Sequence, residues 1–169
     1  MNVDRILDTF NQHRVRYLLI GGMNFLLRHE PTLTYDVDIW IEDNEDNRGR
    51  CESALTDLQA EWGPTDNTWQ SVAEFDSNWL EAKAVFCLMS PHGAIDIFRS
   101  VRGLDDWQLC WDRAVDESTQ AGISFRGLSE TICCAASWLL RKASASNHEY
   151  ALETAIQNRG DRHDRRQTP

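Results

Sequence analysis

Residues 17–42 run YLLIGGMNFLLRHEPTLTYDVDIWIE. Tyr17 to Ile20 form a short apolar run that reads as a buried strand, and Gly21-Gly22 reads as a turn. Met23, Phe25, Leu26 and Leu27 then fall at helical spacing, so a helix is expected over about 22–29. Glu30-Pro31 stops it, because the residue before proline avoids the α region. From Thr34 to Glu42 the chain alternates. Tyr35, Val37, Ile39 and Ile41 share one face of a strand, and Asp36, Asp38, Trp40 and Glu42 share the other with Thr34.

Aspartate is depleted in strands. Two of them two residues apart, with Cα atoms roughly 6.6 Å apart at strand rise, repel one another. A divalent cation relieves that repulsion, and hard carboxylate oxygens suit Mg²⁺. The plain alternative is a solvent-facing acidic strand edge. A strand followed by glycines and a helix start can hold phosphate oxygens on backbone N–H groups; the plain alternative there is an ordinary tight turn. A third acid stands further on. Residues 81–89 read as a strand, Ser90-Pro91-His92-Gly93 as a turn and 94–98 as a second strand, so the pair predicts a hairpin. Ile95 and Ile97 face one way; Ala94, Asp96 and Phe98 face the other.

Two glycines, thirteen residues, DVDI, and a later acid on a strand together resemble the nucleotidyltransferase superfamily, with its polymerase-beta-like fold. The pattern is most similar to small prokaryotic branches that include AbiEii-type toxins and antibiotic nucleotidyltransferases. The resemblance covers Tyr17 to about Leu128. It implies an α/β (α+β) domain with a small mixed, twisted sheet flanked by helices and followed by C-terminal helices. It implies transfer of a nucleoside monophosphate from a nucleoside triphosphate to a hydroxyl or similar acceptor, with two Mg²⁺ or Mn²⁺ ions. Carried over by position, Asp36, Asp38 and Asp96 are the metal-binding and catalytic residues, Asp96 lying under the acceptor hydroxyl. Gly21 and Gly22 hold the triphosphate, and Asn24 is grouped with them. A protein, an RNA end or a small molecule such as an aminoglycoside or lincosamide would be the acceptor, and a toxin–antitoxin role is implied by the family alone. Relatives of the AbiEii type often carry arginine where Thr32 stands, and a lysine in the helix after the sheet, for which either Arg141 and Lys142 stand in here or nothing does. Those departures leave triphosphate charge less compensated. They keep open a second reading, a catalytically silent relative that binds nucleotide or a protein partner.

The remaining chain sets bounds. At 169 residues, 41% hydrophobic and 26% charged, it suits one soluble domain, expected over 1–157 with its core at about 15–128. A formal charge of −10 with two lysines, Lys83 and Lys142, argues against gripping a long nucleic-acid duplex. No membrane span or secretory pattern is read, so a cytoplasmic location is expected. Five cysteines without a CxxC pair lack zinc spacing, and most are expected to be reduced, buried small hydrophobes.

Helices are expected at 3–14, with Val3, Ile6, Leu7 and Phe10 as the apolar stripe, and at 46–61, with Cys51, Ala54, Leu55 and Leu58 inward. Residues 65–80 read as a loop and short helix packing Trp69, Phe75 and Trp79 on the sheet, or as an insertion shaping an acceptor site. A short helix is expected at 105–114, a small strand at 123–125, and helices at about 129–143 and 147–157. The arginine-rich tail 158–169 reads as disordered. Trp40 shares the acids' face; an indole there packs beneath a neighbouring loop more often than it stacks on a base.

Overall fold

In a computed structural model of the chain, residues 1–28, 35–65, 68–104 and 106–128 are described. They fall within one compact unit, Met1–Cys133. The helices expected over 129–157, the tail 158–169 and the Glu30-Pro31 stop lie outside the described residues.

The first helix, α1 (Val3–Gln12), starts where the Asn2 side chain accepts a hydrogen bond from the Arg5 N–H at 3.0 Å. Ile6, Leu7 and Phe10 form its fully buried stripe. The next elements are β1 (Tyr17–Leu19), α2 (Gly21–Arg28) and β2 (Asp36–Ile41). The helix α3 (Glu45–Asp57) is capped by Asn44, which accepts from the Asn47 N–H at 2.9 Å. Glu45 and Asp46 lie in its first turn, where negative charge suits the helix dipole. The buried Asn47 amide accepts from the Arg16 N–H and donates to the Arg16 and Glu42 carbonyls, joining the chain before β1 to the chain after β2.

The helix expected to reach residue 61 stops at Asp57, because Gln59 takes a left-handed conformation at φ 53°. A short strand β3 (Glu61–Trp62) follows, then β4 (Gln70–Ser71) and two 3₁₀ turns, Val72–Glu74 and Trp79–Ala82. The expected hairpin is present as β5 (Val85–Ser90) and β6 (Gly93–Phe98), but its first strand begins at Val85 rather than at 81, because the second 3₁₀ turn occupies Trp79–Ala82. After α4 (Trp107–Asp112), residues 115–127 form a full hairpin, β7 (Val115–Ser118) and β8 (Ser124–Gly127), where only a small strand was expected.

Among the described residues, eight strands form one mixed sheet in the order β4-β3-β5-β6-β2-β1-β8-β7. The β2–β6 and β1–β8 pairs are parallel and the rest antiparallel. The architecture is therefore α+β, a mixed sheet with four α-helices among the described residues. Its core is the cluster of Leu19, Val37, Ile39, Ile41, Phe86, Leu88, Ile95 and Ile97 with the buried stripes of α1 and α3. Phe75 and Trp79 join that covered side. Trp79 meets the buried Phe86 edge-on at 5.0 Å, and the Glu52 carboxylate accepts from the Asn78 and Leu80 N–H groups. Residues 70–82 are thus anchored on the covered side of the sheet, not the side that carries the aspartates; Trp69 is exposed.

Candidate carboxylate site

The register of two paired strands brings the site together. In the parallel β2–β6 pair, Asp36 stands opposite Ala94 and Asp38 opposite Asp96. With Val37, Ile39, Ile95 and Ile97 fully buried, the period of two turns Asp36, Asp38 and Asp96 to the other face. One carboxylate oxygen from each lies within 4.8 Å of the others, and all three residues are half-buried. The Arg99 guanidinium locks the far ends of the same strands by a bidentate bond to Asp43, at 2.9 and 2.8 Å. It also donates to the Leu80, Glu81 and Lys83 carbonyls.

The electrostatics show the cost of this convergence. The Asp38 carboxyl is pushed up to about 7, first by burial, then by the charges of Asp36 and Asp96; a hydrogen bond from the Gly22 N–H works the other way. Asp96 is raised by burial and by Asp36, against a hydrogen bond from the Cys87 thiol. The thiol itself is pushed up to about 11, by burial and by the Asp96 carboxylate beside it. Three hard oxygen donors converging from two paired strands fit a divalent cation.

Gly21 and Gly22 stand against this cluster. Gly21 has φ +65°, and a Cβ there would collide with the Asp38 carboxylate. Any other residue would meet both backbone strain and that clash. The bend therefore wraps Asp38 closely, and the Gly22 N–H holds it. Asn24 lies elsewhere. Its buried amide donates at 3.0 Å to the Leu128 carbonyl, while its Oδ1, against Gly127, has no hydrogen-bond partner among the described residues. A side chain on residue 127 would strike that amide, so Gly127 makes room for it.

Trp40 is on the acids' face but only 3% exposed. Trp107 of α4 meets it edge-on at 4.9 Å, and the Trp40 indole N–H donates to the Arg99 carbonyl at 3.4 Å. It packs under a neighbouring element and offers no ring face for a base to stack on. Cys87 escaped the sequence argument. Cys51 and Cys110 are buried as expected, but Cys87 is exposed on the acid face. The signal was available: a two-residue turn between Ser90 and Gly93 sets Cys87 opposite Asp96.

No protein-family profile matches the sequence, and no curated protein matches it. Among solved structures, the chain is similar to a crystal structure from Thermotoga maritima described as a candidate nucleotidyltransferase. The TM-score is 0.56 and the identity 15%, over 92% of this chain and 91% of that one. At that identity the likeness establishes a shared fold. It does not reach the AbiEii-type branch expected from the sequence. Among the described residues, no helix is long and apolar enough to cross a membrane.

Proposed function

We propose that the chain is a metal-dependent nucleotidyltransferase, transferring a nucleoside monophosphate from a nucleoside triphosphate to a hydroxyl acceptor. The observation that carries this reading is the three-aspartate cluster on two paired strands, set against a glycine bend. Asp36, Asp38 and Asp96 would hold Mg²⁺ or Mn²⁺. When bound, such ions supply positive charge that steadies attacking and leaving oxygens in an in-line displacement. Asp38 and Asp36 would hold the ion beside the triphosphate, and the bend at Gly21 and Gly22, whose Gly22 N–H fixes Asp38, would lie against its phosphates. Asp96, on the β6 side, faces the acceptor and takes its hydroxyl proton if it comes within hydrogen-bond reach. Asn24, bonded to Leu128, supports the bend from within α2.

The acceptor is a protein hydroxyl, an RNA end or a small molecule, and the chain's net charge of −10 favours a protein or a basic small molecule. The superfamily resemblance alone suggests a toxin of a toxin–antitoxin pair. A cytoplasmic location accords with an intracellular triphosphate. The competing reading, a silent nucleotide- or partner-binding relative, draws on the missing basic positions at Thr32 and after residue 128.

Calorimetric titration of each nucleoside triphosphate, with and without Mg²⁺, tests the proposal on the wild type and on Asp36→Ala/Asp38→Ala. Metal-dependent binding that the double substitution weakens by at least about tenfold is expected. Nucleotide binding indifferent to both metal and substitution would favour the silent relative. Incubation with labelled triphosphates and cell lysate then identifies the acceptor.

A further inference from the structure

We propose that Cys87 is a positioning residue: its thiol holds the Asp96 carboxylate in the direction from which it shares a cation with Asp36 and Asp38. The inference rests on the metal-dependent site proposed above. Its basis is a line across three strands. Cys87 on β5 stands opposite Asp96 on β6, and Asp96 stands opposite Asp38 on β2, all on the face away from the aliphatic core. Side chains directly opposite one another in an antiparallel pair have Cβ atoms roughly 4.5–5.5 Å apart, within reach of a hydrogen bond between their tips. The register sets the thiol beside the Asp96 carboxylate, in place to donate to it.

The neighbours on the same face of β5 cannot replace it. Val85 and Met89 flank Cys87 there, 39% and 49% exposed, and neither carries a donor. On its other side Asp96 meets the like charges of Asp38 and Asp36, which press its carboxylate away from the cluster. A neutral donor at position 87 tethers one oxygen and leaves the second for a cation, without adding a fourth negative charge. Groups that orient a metal ligand in this way commonly contribute about 10–100-fold to metal affinity. A thiol is a weak donor, so its share belongs at or below the low end.

The test is Mn²⁺ titration of the full chain, followed by electron paramagnetic resonance of the free ion, on wild type, Cys87→Ala, Cys87→Ser and Asp38→Asn. Cys87→Ala is expected to weaken binding about three- to tenfold and Cys87→Ser to restore it to within about twofold, since a hydroxyl also donates. Both variants should melt with the wild type, because the position is exposed. Wild-type affinity in Cys87→Ala, or equal losses in Ala and Ser, overturns the positioning role. If Asp38→Asn loses binding while Cys87→Ala does not, only the role of Cys87 falls. If the wild type shows no binding that Asp38→Asn removes, the carboxylate site falls with it.

Discussion

The two faces of the sheet are built from alternate residues of the same strands and obey opposite rules. On β2, Val37, Ile39 and Ile41 are fully buried under α1 and α3; Asp36 and Asp38, one residue out of step, face one another and Asp96. Burying an aliphatic side chain is worth about 1.5–3 kcal/mol. Val37, Ile39, Ile41, Ile95 and Ile97, all fully buried, set that stabilisation against the mutual repulsion of the three carboxylates. The covered face thus holds in place what the open face would push apart. The largest effect should come from weakening the cover. Ile39→Ala is expected to cost about 2–5 kcal/mol in urea unfolding. A cost under about 1 kcal/mol would mean that the core does not clamp β2.

The glycine bend is where the open face reaches into the backbone. If Gly21 is glycine because Asp38 occupies its Cβ space at positive φ, Gly21→Ala should cost about 1–3 kcal/mol. Part of that cost should vanish in the background Asp38→Ala, where the carboxylate is gone. A double-mutant cycle reads this as coupling. Additive effects would leave only the backbone strain and separate the bend from the acids.

A smaller, pH-dependent effect follows from the acids themselves. Asp38 has a folded pKa of about 7, raised from the ordinary aspartate value by burial, then by Asp36 and Asp96. Because the folded value is the higher one, its contribution to stability is complete below about pH 4 and is lost as pH rises through about 7. Metal-free Asp38→Asn should therefore be more stable than wild type at pH 8, by about 1–2 kcal/mol once solvent screening of this half-buried group is allowed for, and close to it at pH 4. Asp43 runs the other way. Hydrogen bonds from Arg99, opposed by burial and aided by Arg48, hold its pKa down, so its contribution is lost as pH falls. The two windows separate in denaturation curves taken at pH 8, 6 and 4. Equal curves for Asp38→Asn and wild type at pH 8 would show that the open face carries no repulsion.

Much of this contrast was legible in the chain. Strict alternation in β2 and β6 assigned Asp36, Asp38 and Asp96 to one face, and the Ser90–Gly93 turn set the hairpin. Period and spacing are local, and they failed where structure depends on distant or very short elements. Trp40 alternates with the acids, yet Trp107, far along the chain, seals it. The strands β3 and β4 have two residues each, too few to show a period. In β7 the residues VDES carry almost no apolar signal, because it is an edge strand whose side chains are mostly exposed. Asn24 could be seen as a polar residue near the glycines, but not as one occupied by the Leu128 carbonyl.

Tyr35 tests where the contrast between the faces ends. Alternation places it with Val37, Ile39 and Ile41, yet it is 74% exposed. The ladder between β2 and β6 begins at Asp36 opposite Ala94, so Tyr35 lies past the last paired residue. A period of two fixes which way a side chain points; it does not say how far the covering helices extend. Tyr35→Ser is therefore expected to change unfolding free energy by less than about 0.5 kcal/mol, against about 3–5 kcal/mol for a large aromatic removed from a core. A loss above about 2 kcal/mol would put the ring inside the core, and the covered face would then begin one residue before the first aspartate.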